Sequence, residues 1–99
     1  MHWPIPEFKN KEAYQDPKNP EYRLSCWKVL CRLKREGKAL RIGVSNFTVN
    51  HMQHIFDNSA EKPFANQIEY HPLIDQSQIQ TFCEKNGIVV VGYSSLGHV

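Results

Sequence analysis

The sequence predicts an α/β fold built on a parallel sheet, and three observations carry that reading. Three short apolar runs each end in polar residues: RIGVSN at 41–46, ANQIEY at 65–70 and GIVVVGYSS at 87–95. Their starts lie about 22–24 residues apart, with a helical pattern in each gap. That spacing suits parallel pairing, which needs a crossover between successive strands. The runs end in Ser45–Asn46, Gln67 and Tyr93–Ser94. Polar side chains therefore gather at the C-terminal strand ends, where open α/β sheets and closed α/β barrels hold their ligands.

Residues 1–22 carry Pro4, Pro6, Pro17 and Pro20 and the polar stretch KNKEAYQDPKNPEY, and they read as a loop. Leu24, Trp27, Leu30, Cys31 and Lys34 follow a 3.6-residue period that Val29 and Leu33 widen. They predict a helix over 24–36 that Gly37 stops. Leu40, Ile42 and Val44 alternate through a strand over 40–45, where Gly43 leaves room for a close approach. Thr48 is a candidate N-cap for a helix over 49–58, with Val49, Met52, Ile55 and Phe56 as its buried stripe.

Pro63 marks the entry to a strand over 64–68 that His71–Pro72 ends. Ala65, Gln67 and Glu69 share one face, and polar groups inside a parallel strand call for partners. Asp75 is placed to cap a helix over 76–86, with Gln78 three residues on as the reciprocal partner. Ile79, Phe82 and Cys83 form its apolar side, and Gly87 suits a left-handed exit. Ile88 to Val91 are four consecutive β-branched residues, which predicts a buried strand over 88–92. The right-handed crossover rule sets the three helices on one face of the sheet.

The chain of 99 residues reads as one domain over 1–99. Three parallel strands leave one sheet face uncovered and two edges open, through which copies can self-associate. Eight such units in a closed barrel take roughly 250 residues, so the sequence reads as part of a larger fold. Twelve basic and ten acidic residues give a near-neutral net charge of +2. The basic run KREGKALR at 34–41 sits at a helix end, where cations favour the dipole. No aromatic residues interleave with it, which argues against a nucleic-acid partner.

Cys26, Cys31 and Cys83 are odd in number and lack metal-ligand spacing. Cys31 and Cys83 lie in apolar helical patterns and read as buried thiols, which fits a reducing, cytoplasmic setting. Asn46-Phe47-Thr48 matches a glycosylation sequon. No signal peptide precedes it and its Asn sits at a strand end expected to be enclosed, so it is read as unmodified. No apolar run reaches transmembrane length, and no membrane partner is expected.

Asn46 and Gln67 each donate and accept through a carboxamide. Side by side at adjacent strand ends, such a pair can grip a planar amide, with Ser45 adding a hydroxyl and Tyr93 a flat ring. The same residues also suit ordinary loop capping beside a core tyrosine. Neither common phosphate motif, GxGxxG or GxxxxGK[ST], is present, although backbone amides over 94–97 can meet an anion. His2 is a candidate proton donor or carbonyl-orienting group. His51 and His54, three apart on a helix, lack a third ligand and read as solvated. Glu69 and His71 share strand parity and read as a satisfied polar pair.

The segments HWPIP at 2–6, WKVL at 27–30, EGKALRIGVSNF at 36–47, KPFANQIEYHP at 62–72 and FCEKNGIVVVGYSSLG at 82–97 resemble the aldo-keto reductase family. The likeness runs through nearly the whole chain in order. It implies a partial eight-stranded β/α (TIM) barrel, from the end of the fourth strand to the loop after the seventh. It also implies NADPH-dependent reduction of a small-molecule aldehyde or ketone, with NADP(H) as cofactor. His2 then matches the histidine that orients the carbonyl, and Trp3 a substrate-pocket residue. Ser45, Asn46 and Gln67 match the residues that bond the nicotinamide carboxamide, and Tyr93 the tyrosine stacked on that ring. Ser94, Leu96 and Gly97 match the stretch along the pyrophosphate.

In the family, the catalytic tyrosine with its aspartate and lysine precedes the HWP stretch. The segment recognising the 2′-phosphate follows the last strand seen here. Pro is common where Ser95 stands. The resemblance therefore implies that these residues hold the positioning half of a reductase site. The alternative is a catalytically inactive product, inert or acting through its open strand edges.

Overall fold

The structure, a computed structural model, describes residues 1–5 and 11–97. A 3-10 helix over Lys11–Gln15 leads into α1 (Asn19–Arg35). Then come β1 (Val44–Ser45), α2 (Val49–Asn58), β2 (Ala65–Glu69), α3 (Ser77–Asn86) and β3 (Val89–Tyr93). The strands form one parallel sheet in the order β1-β2-β3. It is a partial, open barrel wall: strands and helices alternate, and the sheet does not close.

Register sets which residues share a face. Val44 pairs with Asn66 and Asn66 with Val90, while Ser45 pairs with Gln67 and Gln67 with Val91. The first row points at the helices. Trp27 and Cys31 of α1, Met52 and Ile55 of α2, and Cys83 of α3 pack there with Ile42, Val44, Phe47 and Ile88. The helices thus share one core against one sheet face, as the crossover rule requires.

The second row faces away from the helices and is open. Val89 is 47% and Val91 39% exposed, so β3 alternates instead of being buried throughout. The β-branched run reads as a buried strand, but only one face has a cover among the described residues, leaving the open face expected of three parallel strands.

Three other expectations change. The first helix begins at Asn19 rather than 24, with Pro20 in its first turn. Proline there lacks only a donor that the first turn leaves unused. The loop expected over 1–22 is thereby shortened, and its residues 6–10, including Pro6 of the HWPIP segment, lie outside the described residues. The first strand shrinks to two residues: Leu40 is 89% exposed and Arg41 turns its guanidinium over the Phe64 ring at 4.4 Å. Phe64 N–H still donates to Ile42 O at 2.8 Å, so the chain runs beside β2 before the ladder proper starts. Gly43 permits this, because a Cβ there would lie 2.9 Å from the Ala65 carbonyl oxygen.

Asp75 does not form the reciprocal cap with Gln78. Its Oδ1 accepts from Ser77 N–H at 2.9 Å, and α3 starts after Gln76 without a side-chain cap. Gly37 and Gly87 do take left-handed angles at the exits of α1 and α3. Thr48 caps α2, which spans the expected 49–58.

Candidate functional site

The turns after β1 and β3 lie at the same end of the sheet. Asn46 at φ 62° and Ser94 at φ 52° both adopt the left-handed region. Asn tolerates it through local hydrogen bonding, whereas Ser does so less readily. Such a conformation costs roughly 1–3 kcal/mol and persists only where the surroundings hold it, and such positions cluster at ligand sites.

Asn46 is held from several sides. Its backbone N–H donates to Gln67 O at 2.9 Å, and Ser45 Oγ donates to the same carbonyl at 2.7 Å. Its Nδ2 donates to His2 O at 3.0 Å and approaches Ser45 Oγ at 3.2 Å. Its Oδ1 accepts from the Tyr93 hydroxyl. Ser45, Asn46 and Tyr93 therefore converge, and Gln67 joins them through its backbone. The Gln67 side chain is exposed on the open face, in register with Ser45, and makes no hydrogen bond among the described residues. Its carboxamide can both donate and accept. Tyr93 and His2 thus occupy both ends of the Asn46 carboxamide.

His2 reaches this site through its carbonyl, while its ring is exposed and tilted 37° against Trp3. The segment is anchored from below: buried Arg23 donates Nε–H to Pro4 O at 3.0 Å. Ser94 O accepts from Gly97 N–H at 2.8 Å, and this tight turn leaves Leu96 92% exposed. Burial, and next the Glu69 carboxylate, push the Tyr93 phenol above its ordinary value. Glu69 is the register partner of Tyr93 and accepts from His71 Nε2 at 2.7 Å, the polar pair expected from their parity.

Sequence reasoning missed three residues here. Tyr14, on the 3-10 helix, lies near enough to Tyr93 for that phenol to add to burial in raising its own value. Asn66 is fully buried beneath the turn. His51 is not a solvated helix residue. Its Nδ1 accepts from Thr48 N–H at 3.0 Å, and Thr48 Oγ1 accepts from His51 N–H at 3.3 Å. This is a capping box with histidine where Glu or Gln is usual.

Burial, then Arg23, then His54 lower the His51 value from 6.5 to about 4. Neutral imidazole is the form that can accept at Nδ1. As pH falls, the unfolded chain takes up this proton first. The stabilisation is therefore complete above about pH 6.5 and is lost as pH falls toward about 4. The ring is partly exposed, so solvent screening limits the loss to roughly 1–2 kcal/mol. Urea midpoints at pH 7 and 4.5 check this. His51→Gln, which keeps an uncharged acceptor, should shrink the difference, and an equal pH dependence in both proteins would contradict the assignment.

The cleft between the starts of α2 and α3, about 430 Å³, is lined by Thr48, Asn50, Asp75 and Ser77 and shares no residue with the strand-end cradle. The cradle itself is a shelf on the open face. Among the described residues no group of three side chains is arranged to hold a metal, and no helix is long and apolar enough to cross a membrane. Cys31 and Cys83 are buried and, with Cys26, are free thiols.

A family model described as "Aldo/keto reductase family" matches residues 1–98. Glycerol 2-dehydrogenase (NADP(+)) of Saccharomyces cerevisiae is 33% identical over 98% of the chain, which covers 36% of that protein. Glyoxal reductase of Bacillus subtilis is also 33% identical, over 97% of the chain and 30% of its own length. The chain thus spans about a third of the length of these curated relatives. Among solved structures, an aldo/keto reductase from Brucella melitensis superposes with a TM-score of 0.82 at 31% identity, covering 98% of this chain and 33% of its own. A Bombyx mori aldo-keto reductase in complex with NADP gives 0.76 at 29% identity, over 95% of this chain and 29% of its own.

Proposed function

From the premise that the chain belongs to the aldo/keto reductase family, we propose that its strand-end cradle is the nicotinamide-carboxamide site of an NADP(H)-dependent carbonyl reductase. The observation that carries this reading is the convergence of Ser45, Asn46 and Tyr93 beside the free Gln67 amide. The donor set fits the group. A carboxamide offers one acceptor and two donors, and the cradle offers two amides and a hydroxyl to meet them.

Bound there, the cofactor supplies hydride. The chain's residues do the rest of what these positions can do. Asn46, Gln67 and Ser45 fix the carboxamide and with it the plane of the ring. Tyr93 gives up its bond to Asn46 and lies against the ring face. Ser94, Leu96 and Gly97 would hold the pyrophosphate, with the backbone amides of their turn as donors. His2 orients the carbonyl oxygen of a small aldehyde or ketone, and Trp3 lines the substrate side. The proton donor comes from family segments that these residues do not match. The three free cysteines suit a cytoplasmic setting.

Isothermal titration with NADPH tests the reading. Asn46→Ala should weaken binding about tenfold, the scale of one or two lost hydrogen bonds. Unchanged affinity would remove the cradle from cofactor binding. A second reading has its own observation: β3 has an outer edge with no strand partner among the described residues, and Val89 and Val91 are exposed beside it. Self-association through that edge would appear as concentration-dependent sedimentation.

A further inference from the structure

Asn66 lies on the opposite face of β2 from the cradle. It is the register partner of Val44, is fully buried, and sits among apolar side chains under α2. A polar side chain in that position needs partners. It finds them in one residue. Asn66 Nδ2 donates to Phe47 O at 2.9 Å, and Asn66 Oδ1 accepts from Phe47 N–H at 3.4 Å. The same Nδ2 stands 3.7 Å from Met52 Sδ.

Phe47 directly follows Asn46. The side-chain amide of Asn66 therefore bonds both backbone groups of Phe47, as a neighbouring strand would, just where the β1 ladder ends. From the residue next to Asn66, Gln67 O takes the Asn46 N–H and the Ser45 hydroxyl. Consecutive residues of β2 thus grip consecutive residues of the turn, and Asn46 at φ 62° is clamped between them. Without the grip on Phe47, the turn is held only from its Asn46 side, and the left-handed angle of Asn46 loses the support that follows it. The Asn46 carboxamide would then turn away from Ser45, His2 and Tyr93.

We propose that Asn66 is a positioning residue for the carboxamide site: from the helix side of the sheet it holds the backbone that aims Asn46. The inference rests on the cradle being the nicotinamide site.

The test uses this chain with two ligands, NADPH and its 3-acetylpyridine analogue, which keeps the carbonyl oxygen and lacks the amide N–H. Asn66→Val and Asn66→Leu are compared with the parent. Leucine keeps nearly the shape of asparagine but offers Phe47 neither donor nor acceptor, so it serves if the valine variant fails to fold. Both variants should lose about tenfold in NADPH affinity and much less for the analogue, lowering the preference between them. The Asn46 amide-to-α-proton coupling, read by NMR, should leave its positive-φ value. A preference and a coupling both unchanged would overturn the proposal, as would equal weakening toward both ligands. If the parent shows no preference for the carboxamide, the cradle reading fails instead. The coupling then decides alone: a changed value upholds the positioning role and a retained one overturns it.

Discussion

The purified 99-residue chain, given NADPH and an aromatic aldehyde, is expected to show no carbonyl reduction above background. A positioned proton donor contributes roughly 10²–10⁴-fold to such a step. The phenols present are poorly placed to replace it. Tyr93 is assigned to the face of the cofactor ring, and Tyr70 donates to Gln80. Tyr22 is exposed on α1, and burial raises Tyr14 above its ordinary value. Any bound cofactor must also order the open shelf, which lowers its apparent affinity. Robust turnover abolished by His2→Ala or Tyr93→Ala would contradict this. It would show a complete reductive site within these residues.

Trp27→Ala should cost about 3–5 kcal/mol of folding stability, the largest effect expected of a single substitution in the core. Trp27 is fully buried between α1 and α2, where it touches the cluster that Met52, Ile55 and Phe47 complete. Trp27→Phe should cost far less, about 1 kcal/mol. Its indole Nε1–H is buried without a partner among the described residues, and removing an unsatisfied donor recovers part of the lost packing. Urea unfolding of the three proteins checks both values. A loss for Trp27→Phe well above about 1 kcal/mol would contradict the unpartnered indole N–H.

The sequence was most legible where one local rule decided the outcome. Thr48, the 3.6-residue stripe and the left-handed glycines at 37 and 87 marked helix ends that the structure keeps. Parallel order followed from spacing alone. It was least legible where tertiary surroundings decided. Pro17 and Pro20 look like loop residues, yet a proline in the first turn is compatible with α1. The run at 88–91 reads as a buried strand, but alternation along β3 leaves Val89 and Val91 partly exposed.

Within the site, the polar strand ends disclosed Ser45, Asn46, Gln67 and Tyr93. They did not disclose which Gln67 group would act, and it is the backbone carbonyl that accepts from Ser45 and Asn46. Asn66 had a signal of its own, an amide in register with the apolar face. His51 at the third position after Thr48 had one too, in a slot where an acceptor is expected.

If the strand-end amides bind the nicotinamide carboxamide, as proposed, their own resonances respond to the cofactor. The most direct measurement is a two-dimensional nitrogen–proton NMR titration of the chain with NADP(H), which registers weak binding residue by residue. The side-chain amide resonances of Asn46 and Gln67 should shift together and saturably, with the Tyr93 ring moving at the same ligand concentration. Shifts confined to the cleft between α2 and α3, with both of those amides unmoved at saturation, would contradict it.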